Sequence, residues 1–521
     1  MRLRELLSRA GIDFPESGEH EDIIITGITC DTRRLREGNL FVALRGQRTD
    51  AHARIGEAVL RGAAALLVEE RRDGIDSARS VPQIVCTDTR AAMARVADAF
   101  YGCPSRAMQI VGVTGTNGKT TVAGLLWEIL RADGRRVGLI GTTGACIGDH
   151  ALKAEGISPE AHMTTPDPEV LYRLLAEMRD AGCDTVVMEA TSHASALQKL
   201  LPIRFSLLIF TNLTRDHLDF HGTMEAYFDA KARLIRQSDT VIVNLDGSGV
   251  IGDPEGYGKR MALLARSYGK NVVTVTADPL ARADVRITDA VLNRQSGVAL
   301  TLLYKEDALT LTSPLIGRFN VMNLAEAATA AKLLGVADGV ISEVLKGTQG
   351  AKGRMERVSA PGRDDITVLI DFAHTPDALE NLLFTVRDLR QGAARIHVLF
   401  GCGGDRDRTK RKEMAQIASR MADMVYVTED NRRSEDIGQI FSDILRGIDK
   451  EKPYAVIERR EEAIARAITD AKAGDIVLLC GKGHEEYTVD QNGTHEFFEG
   501  EIARRALAAR ASHGGGHRDE N

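Results

Sequence analysis

The sequence predicts an α/β chain of three domains, and three observations carry that reading. Short apolar runs alternate with helix-patterned stretches along almost the whole length. Glycine-, proline- or serine-containing joints interrupt the alternation at 101–105 and 347–353. At 521 residues the chain is too long for a single core, and length alone suggests about three or four domains.

The first domain, residues 1–104, opens with Leu3, Leu6, Leu7 and Ala10 at helical spacing among charged residues. That pattern predicts an amphipathic helix and not a signal sequence. Apolar runs at 23–28, 40–44, 64–68 and 83–86 then give a small α/β unit. The second domain, residues 105–350, has strand-like runs at 108–113, 136–140, 185–189, 207–211, 241–245 and 272–276 with helices between them. Such spacing predicts a mainly parallel sheet covered on both faces. Residues 284–313 hold closely spaced β-like runs and few helix signals, so a small antiparallel annex is expected there. The third domain, residues 351–521, repeats the α/β theme at 366–372, 396–400, 424–428, 455–458 and 476–480 and reads as Rossmann-like. The glycine- and histidine-rich tail at 512–521 is expected to fray.

Composition narrows the function. A net charge of -7 with 27% charged residues and no basic stretch argues against a nucleic-acid partner. Seven cysteines without paired metal spacing read as reduced thiols in a cytoplasm. No apolar stretch approaches the roughly 20 residues of a membrane span, so no membrane insertion is expected.

Chemistry is concentrated at 112–121, GVTGTNGKTT, between an apolar run and a helix pattern. Gly115, Thr116, Asn117, Gly118, Lys119, Thr120 and Thr121 then form a P-loop-like phosphate cradle: backbone N–H groups surround a polyphosphate, Lys119 reaches its terminal phosphates, and Thr120 can ligate Mg²⁺. ATP is the expected nucleotide, which makes the central domain P-loop ATPase-like. The residue five before Gly118 is Val113, so the loop departs from the general Walker spacing and suits a ligase better than a kinase or GTPase. Polar clusters also follow the other central strands, where parallel sheets place their active residues. Glu189 ends one strand, and His217 lies in TNLTRDHLDFHG, 211–222. Lys231 is on a helix-like stretch, facing inward or outward. Taken singly, His217 and Lys231 would more often be a hydrogen-bonded histidine and a solvated lysine.

GVTGTNGKTT, MEATSHA, TNLTRDHLDFHGTMEAYFDAKARL and GRFNVMN resemble the Mur ligase family, the ATP-dependent amide-forming ligases of bacterial wall synthesis, and in particular its members that add the third peptide residue. The resemblance extends over all three domains, from Asp31-Thr32-Arg33 to Gly481-Lys482-Gly483-His484-Glu485. It implies that the γ-phosphoryl of ATP moves onto a D-glutamyl side-chain carboxylate and that an amine then attacks the acyl phosphate. By resemblance Lys119 holds the β/γ-phosphates, Thr120 and Glu189 share one Mg²⁺, and His217 helps to hold a second. Lys231 matches a lysine that the family carbamylates, and carbamylation needs the neutral amine that burial favours. Asn323 matches a residue on the adenine side, while Arg354 and His374 match segments that close over the nucleotide.

The same resemblance implies UDP-MurNAc-L-Ala-D-Glu as acceptor, with Thr32 at the uridine diphosphate end. Thr164, Thr165, Thr191 and Lys199 would meet the muramoyl dipeptide, with Lys199 where the family usually has arginine. At Asp50-Ala51-His52 alanine replaces a common glycine. The incoming amino acid is meso-diaminopimelate or L-lysine. Asp430-Asn431-Arg432-Arg433 resembles the diaminopimelate signature Asp-Asn-Pro-Arg, with Arg432 in the proline place, and the guanidinium of Arg433 suits a distal carboxylate that lysine lacks. Arg406 would bind another carboxylate, and Gly481 and Glu485 would meet the amino end. A monomer is expected. Competing readings are a folylpolyglutamate synthase or another diverged amide ligase, a P-loop kinase or ATPase, and a catalytically dead binding module.

Overall fold

The computed structural model describes residues 1–13, 23–46, 50–72, 81–152, 163–247, 256–293, 297–360, 365–390 and 392–513. Three α/β sheets follow one another along the chain. Four parallel strands, Gly27–Thr29, Asn39–Val42, Ala65–Val68 and Gln83–Val85, form the first in sequence order. The apolar run at 23–28 yields only its last residues as strand, because Ile24 makes an isolated bridge to Arg2 and ties down the first helix, Leu3–Ala10.

The central sheet has eleven strands, ordered Asp307–Ser313, Gly297–Tyr304, Val285–Asn293, Asn271–Thr276, Ser238–Asn244, Phe205–Phe210, Gln109–Thr114, Thr185–Glu189, Val137–Gly141, Gly144–Ile147, His150–Leu152. The annex expected at 284–313 is a continuation of this sheet, since Val285–Asn293 pairs parallel with Asn271–Thr276 on one side and antiparallel with Gly297–Tyr304 on the other. A second antiparallel edge, Gly144–Ile147 with His150–Leu152, has no counterpart in the sequence reading, because its half-exposed residues form no apolar run. Gln109–Thr114 lies where successive α/β units turn to opposite sides of the sheet, the usual place for a ligand crevice.

Behind that crevice, helix Lys119–Ala132 packs its Val122, Leu125, Leu126 and Ile129 into the same core as helix Phe319–Leu333. The latter is buried from Asn320 through Ala331, so its small alanines let it lie wholly inside. The C-terminal sheet runs Glu356–Val358, Thr367–Asp371, Ile476–Cys480, Ile396–Phe400, Met424–Val427, Tyr454–Val456, parallel except for the first strand. Its last parallel strand inserts between the first two, which brings residues 371–374, 401–407, 428–433 and 481–485 to one rim of this Rossmann-like sheet. The tail ends as helix Glu499–His513, so fraying does not begin at 512, and 514–521 lie outside the described residues.

Candidate active site

The phosphate loop is shaped by what it touches. Gly115 has φ 153, and a Cβ there would lie 1.9 Å from Thr211 Oγ1, so only glycine fits. Asn117 N donates to Asn212 Oδ1 at 3.0 Å, Thr211 Oγ1 to Asn117 O at 2.6 Å, and Thr214 N to Thr116 Oγ1 at 3.0 Å. Lys119 folds back over the loop, donating to Gly115 O at 3.1 Å and Thr116 O at 2.9 Å. Burial lowers its pKa, the Arg354 charge adds to that, and Glu189 opposes it. Gly118 starts the phosphate helix, and a Cβ there would come within 2.5 Å of Asn323 Oδ1, which places Asn323 against the loop. Thr121 is buried in the first turn.

Glu189 is 1% exposed and is surrounded by donors: Thr142 N at 2.8 Å, Thr120 Oγ1 at 3.1 Å and Thr142 Oγ1 at 3.2 Å. It makes no ion pair among the described residues. A carboxylate and two hydroxyls beside a phosphate cradle are the hard oxygen donors that Mg²⁺ takes. Thr164 shares a 3.1 Å hydrogen bond with Thr142, and Thr165 donates to Glu189 O at 2.8 Å and to Thr191 Oγ1 at 3.1 Å. These expected acceptor residues therefore adjoin the carboxylate.

Lys231 faces inward. It is 1% exposed, donates to Gly115 O at 2.7 Å, lies 4.6 Å over the Tyr227 ring and has no ion pair among the described residues. Burial pushes its pKa well below the usual lysine range, and the Lys119 charge adds to the shift. A solvated lysine is thereby excluded. His217 adopts φ 53, with its ring 4.7 Å from that of His193 and 6.0 Å from that of Tyr227. The side chain is 45% exposed with Nε2 3.5 Å from Asp216, and partial desolvation lowers its pKa, with Asp216 opposing and Lys119 and Lys231 adding.

On the C-terminal side, Arg354 lies 5.0 Å over the Phe372 ring. His374 donates from Nδ1 to Phe372 O at 2.8 Å, and burial lowers its pKa. Asn431 is the centre of the rim: Nδ2 donates to Glu485 at 2.9 Å, and Oδ1 accepts from Lys482 at 2.5 Å. Lys482 is wholly buried and also lies 3.3 Å from Asp430, whose carboxyl the Lys482 and Arg460 charges hold far below its usual range despite burial. Gly481 has φ 111 and passes Asp430 closely. Arg433 donates to Gly404 O at 2.9 Å and Asn431 O at 3.2 Å. Around Gly403 a Cβ would lie 3.0 Å from Arg433 Nη1 and 3.8 Å from Arg406 Cγ, so both arginines flank one point. Neither has a carboxylate partner among the described residues. Arg432 differs, since it turns away to Asp490 at 3.5 Å.

In the N-terminal domain Thr32 is 2% exposed, and its hydroxyl has no hydrogen-bond partner among the described residues. Asp50 caps His52 N at 2.9 Å and meets its ring at 2.7 Å, which makes that loop a closed local turn. The ammonium of Lys199 lies 2.7 Å from Asp167 and 3.5 Å from Met163 Sδ, so its charge is already matched. Thr142, Asn212, Tyr227, Arg411, Glu435 and Lys482 escaped sequence reasoning. Asn212 and Tyr227 had a signal in their place inside TNLTRDHLDFHGTMEAYFDAKARL, and Lys482 in its place inside Gly481-Lys482-Gly483-His484-Glu485. Arg411 holds Glu435 by a side-chain hydrogen bond that brings the carboxyl down to about 2.

Three family models match the chain in order: "Mur ligase family, catalytic domain" at 24–101, "Mur ligase middle domain" at 113–331 and "Mur ligase, glutamate ligase domain" at 353–483. A Gloeobacter violaceus protein named UDP-N-acetylmuramoyl-L-alanyl-D-glutamate--2,6-diaminopimelate ligase is 42% identical over 517 residues, 99% of each chain. The chain belongs to the Mur ligase family. A Pseudomonas aeruginosa Mur ligase of the same name is 39% identical over 502 residues, 95% of this chain and 97% of its own. A solved ligase of that name superposes with TM-score 0.66 at 30% identity, covering 98% of this chain and all of its own. The MurF ligase of Thermotoga maritima in complex with ADP shares the fold at TM-score 0.57 and 18% identity, over 94% of this chain and 99% of its own. As a Mur ligase the chain is an ATP-dependent amide-forming enzyme. No helix among the described residues is long and apolar enough to cross a membrane.

Proposed function

We propose that this Mur ligase joins meso-2,6-diaminopimelate to the D-glutamyl side-chain carboxylate of UDP-MurNAc-L-Ala-D-Glu, a step of peptidoglycan precursor synthesis. The observation that carries the choice of amino acid is the pair Arg406 and Arg433. Among the described residues they flank Gly403 without an ion-paired carboxylate, while their neighbours Arg408, Arg411 and Arg432 are all ion-paired. Two guanidinium groups with no ion pair among the described residues, beside Asn431 and Glu485, suit an amino acid with a carboxylate at each end.

Lys119 and the loop N–H groups hold the β- and γ-phosphates. The glutamyl carboxylate oxygen, oriented by Thr164, Thr165 and Thr191, attacks the γ-phosphorus, and the bond to ADP breaks. The amine nitrogen then attacks the acyl carbon, and inorganic phosphate leaves. Thr120 and Glu189 fit one Mg²⁺, with His217 and a carbamate on Lys231 beside a second; such ions supply charge neutralisation for phosphoryl transfer. Burial lowers the Lys231 pKa and so favours the neutral amine, the form that takes up CO₂. Asn323, Arg354 and His374 border the nucleotide, Thr32 the uridine diphosphate end of the acceptor and Lys199 its muramoyl dipeptide. Arg432 acts through the loop rather than by contact, its charge being spent on Asp490.

The test is product mass and ADP release with ATP, Mg²⁺ and UDP-MurNAc-L-Ala-D-Glu, with meso-diaminopimelate and L-lysine compared. A tripeptide formed selectively with diaminopimelate supports the proposal. Selective use of lysine refutes the arginine argument, and ADP release that ignores the amine refutes ligation.

A further inference from the structure

Arg411 and Glu435 have no part in the chemistry described above, yet they are the most heavily bonded pair near it. Arg411 is wholly buried in the first turn of helix Thr409–Met421. Its Nη1 donates to Glu435 Oε1 at 2.7 Å and its Nη2 to Glu435 Oε2 at 2.7 Å, a two-pronged fork. Each prong has a second acceptor, Asp443 Oδ2 at 3.0 Å for Nη1 and Gly403 O at 3.2 Å for Nη2.

Those partners are not scattered. Glu435 lies two residues past Arg433, and Gly403 three before Arg406. Other bonds cross the same gap: Asp405 N donates to Glu435 Oε2 at 3.1 Å, Ser434 N to Asp405 Oδ2 at 3.0 Å, and Gly404 N to Asn431 O at 2.9 Å. The two backbones also touch, since a Cβ on Gly404 would lie 2.0 Å from Arg432 O. The loop that carries Arg406 and the loop that carries Arg433 are thus one cross-braced unit, with the Arg411–Glu435 fork as its buried tie.

We propose that Arg411 and Glu435 are positioning residues that set the spacing of the Arg406 and Arg433 guanidinium groups and so tune affinity for the incoming amino acid. This deepens the proposed function and rests on its assignment of those two arginines. The physical reason is geometric. A fork of two parallel hydrogen bonds fixes both the distance and the rotation of one loop relative to the other, whereas a lysine, a point charge on a flexible stem, fixes neither. A carboxylate held between two guanidinium groups rewards a spacing correct to a fraction of an ångström.

The network has an internal control. Asp443 belongs to helix Ile437–Leu445 and receives Arg408 at 2.8 Å as well as Arg411, so it ties a helix and not the two loops. Purely structural ties would make Asp443→Asn and Glu435→Gln behave alike.

The test measures, on the full-length protein, kcat and the separate KM values for amine, ATP and UDP-MurNAc-L-Ala-D-Glu in Glu435→Gln, Arg411→Lys and Asp443→Asn. The expected result is an amine KM raised about tenfold or more in the first two, with the other two KM values within about twofold of the parent and Asp443→Asn near parental in all three. An unchanged amine KM in either loop variant overturns the proposal, as does a parallel rise of all three KM values. Should both loop variants fail to fold, Ser434→Ala decides: it removes only an exposed tie to Asp405, and the amine KM must rise alone. The KM is read with whichever amine the parent enzyme uses. Preference of the parent for lysine would therefore refute the proposed substrate, while an unmoved KM would refute the brace.

Discussion

Replacing Arg433 by alanine tests the proposed recognition of a distal carboxylate. The side chain spends Nη1 on two carbonyls, Gly404 O at 2.9 Å and Asn431 O at 3.2 Å, and no carboxylate faces its remaining donors among the described residues. A substrate carboxylate meeting those donors gains charge-assisted hydrogen bonds of about 1.5–3 kcal/mol each. The site is half-buried, so water offsets part of that gain. Losing the pair costs about 3 kcal/mol, on the order of a 100-fold fall in kcat/KM for diaminopimelate. Arg433→Lys keeps the charge but loses the fork and should fall between the two enzymes. The ATP KM should stay within about twofold, because the phosphate loop is built on another sheet and shares no hydrogen bond with Arg433. Amine-dependent ADP release, measured against each substrate in turn, gives these values. Parental diaminopimelate kinetics in Arg433→Ala, or an equal loss against ATP, would refute the reasoning.

Lys231→Met should abolish ligation yet raise stability in Mg²⁺-free buffer. The amine is wholly buried without an ion pair, and Gly115 O keeps a donor in Lys119, so the change relieves about 1–3 kcal/mol of desolvation against a lost hydrogen bond of about 1 kcal/mol; urea unfolding reads it, and a clear loss of stability would sink the idea. Glu189→Gln should need much more Mg²⁺ and lose on the order of 100-fold in rate while remaining folded, because an amide oxygen can still accept from Thr142 N; a Mg²⁺ titration of ADP release checks both. Glu326 is wholly buried and accepts from Asn244 Nδ2 at 3.0 Å, its second oxygen has no partner among the described residues, and burial raises its pKa well above the usual value. Its unfolded form ionises above about pH 4.5 while the folded form stays protonated, so stability is full below that pH and declines as pH rises toward the folded pKa, by about 1.4 kcal/mol per pH unit. Glu326→Gln should flatten that slope and be the more stable form at pH 8; identical pH profiles of unfolding would contradict it.

Much of this was legible in the chain. Periodic apolar runs placed almost every parallel strand within a few residues, because strands buried on both faces must be continuously apolar. The loop at 112–121 stood out in the sequence as a phosphate-binding candidate, and in the fold its Gly115 and Gly118 have conformations and contacts that a side chain would spoil. Short, half-exposed strands such as Gly144–Ile147 left no such trace. Arg432 and Arg433 are adjacent and chemically identical in the sequence, and only the folded loops turn one to Asp490 and leave the other beside Arg406.

Residue types and spacing determined the fold class and the family, since local hydrophobic periodicity and backbone sterics act over a few residues and are written in order along the chain. Tertiary structure alone decided that Lys231 is buried with a depressed pKa, that Lys199 is already paired, and that Arg411 ties two loops. Burial and ion pairing are set by segments far apart in sequence, and a side chain's charge has no environment until the fold supplies one.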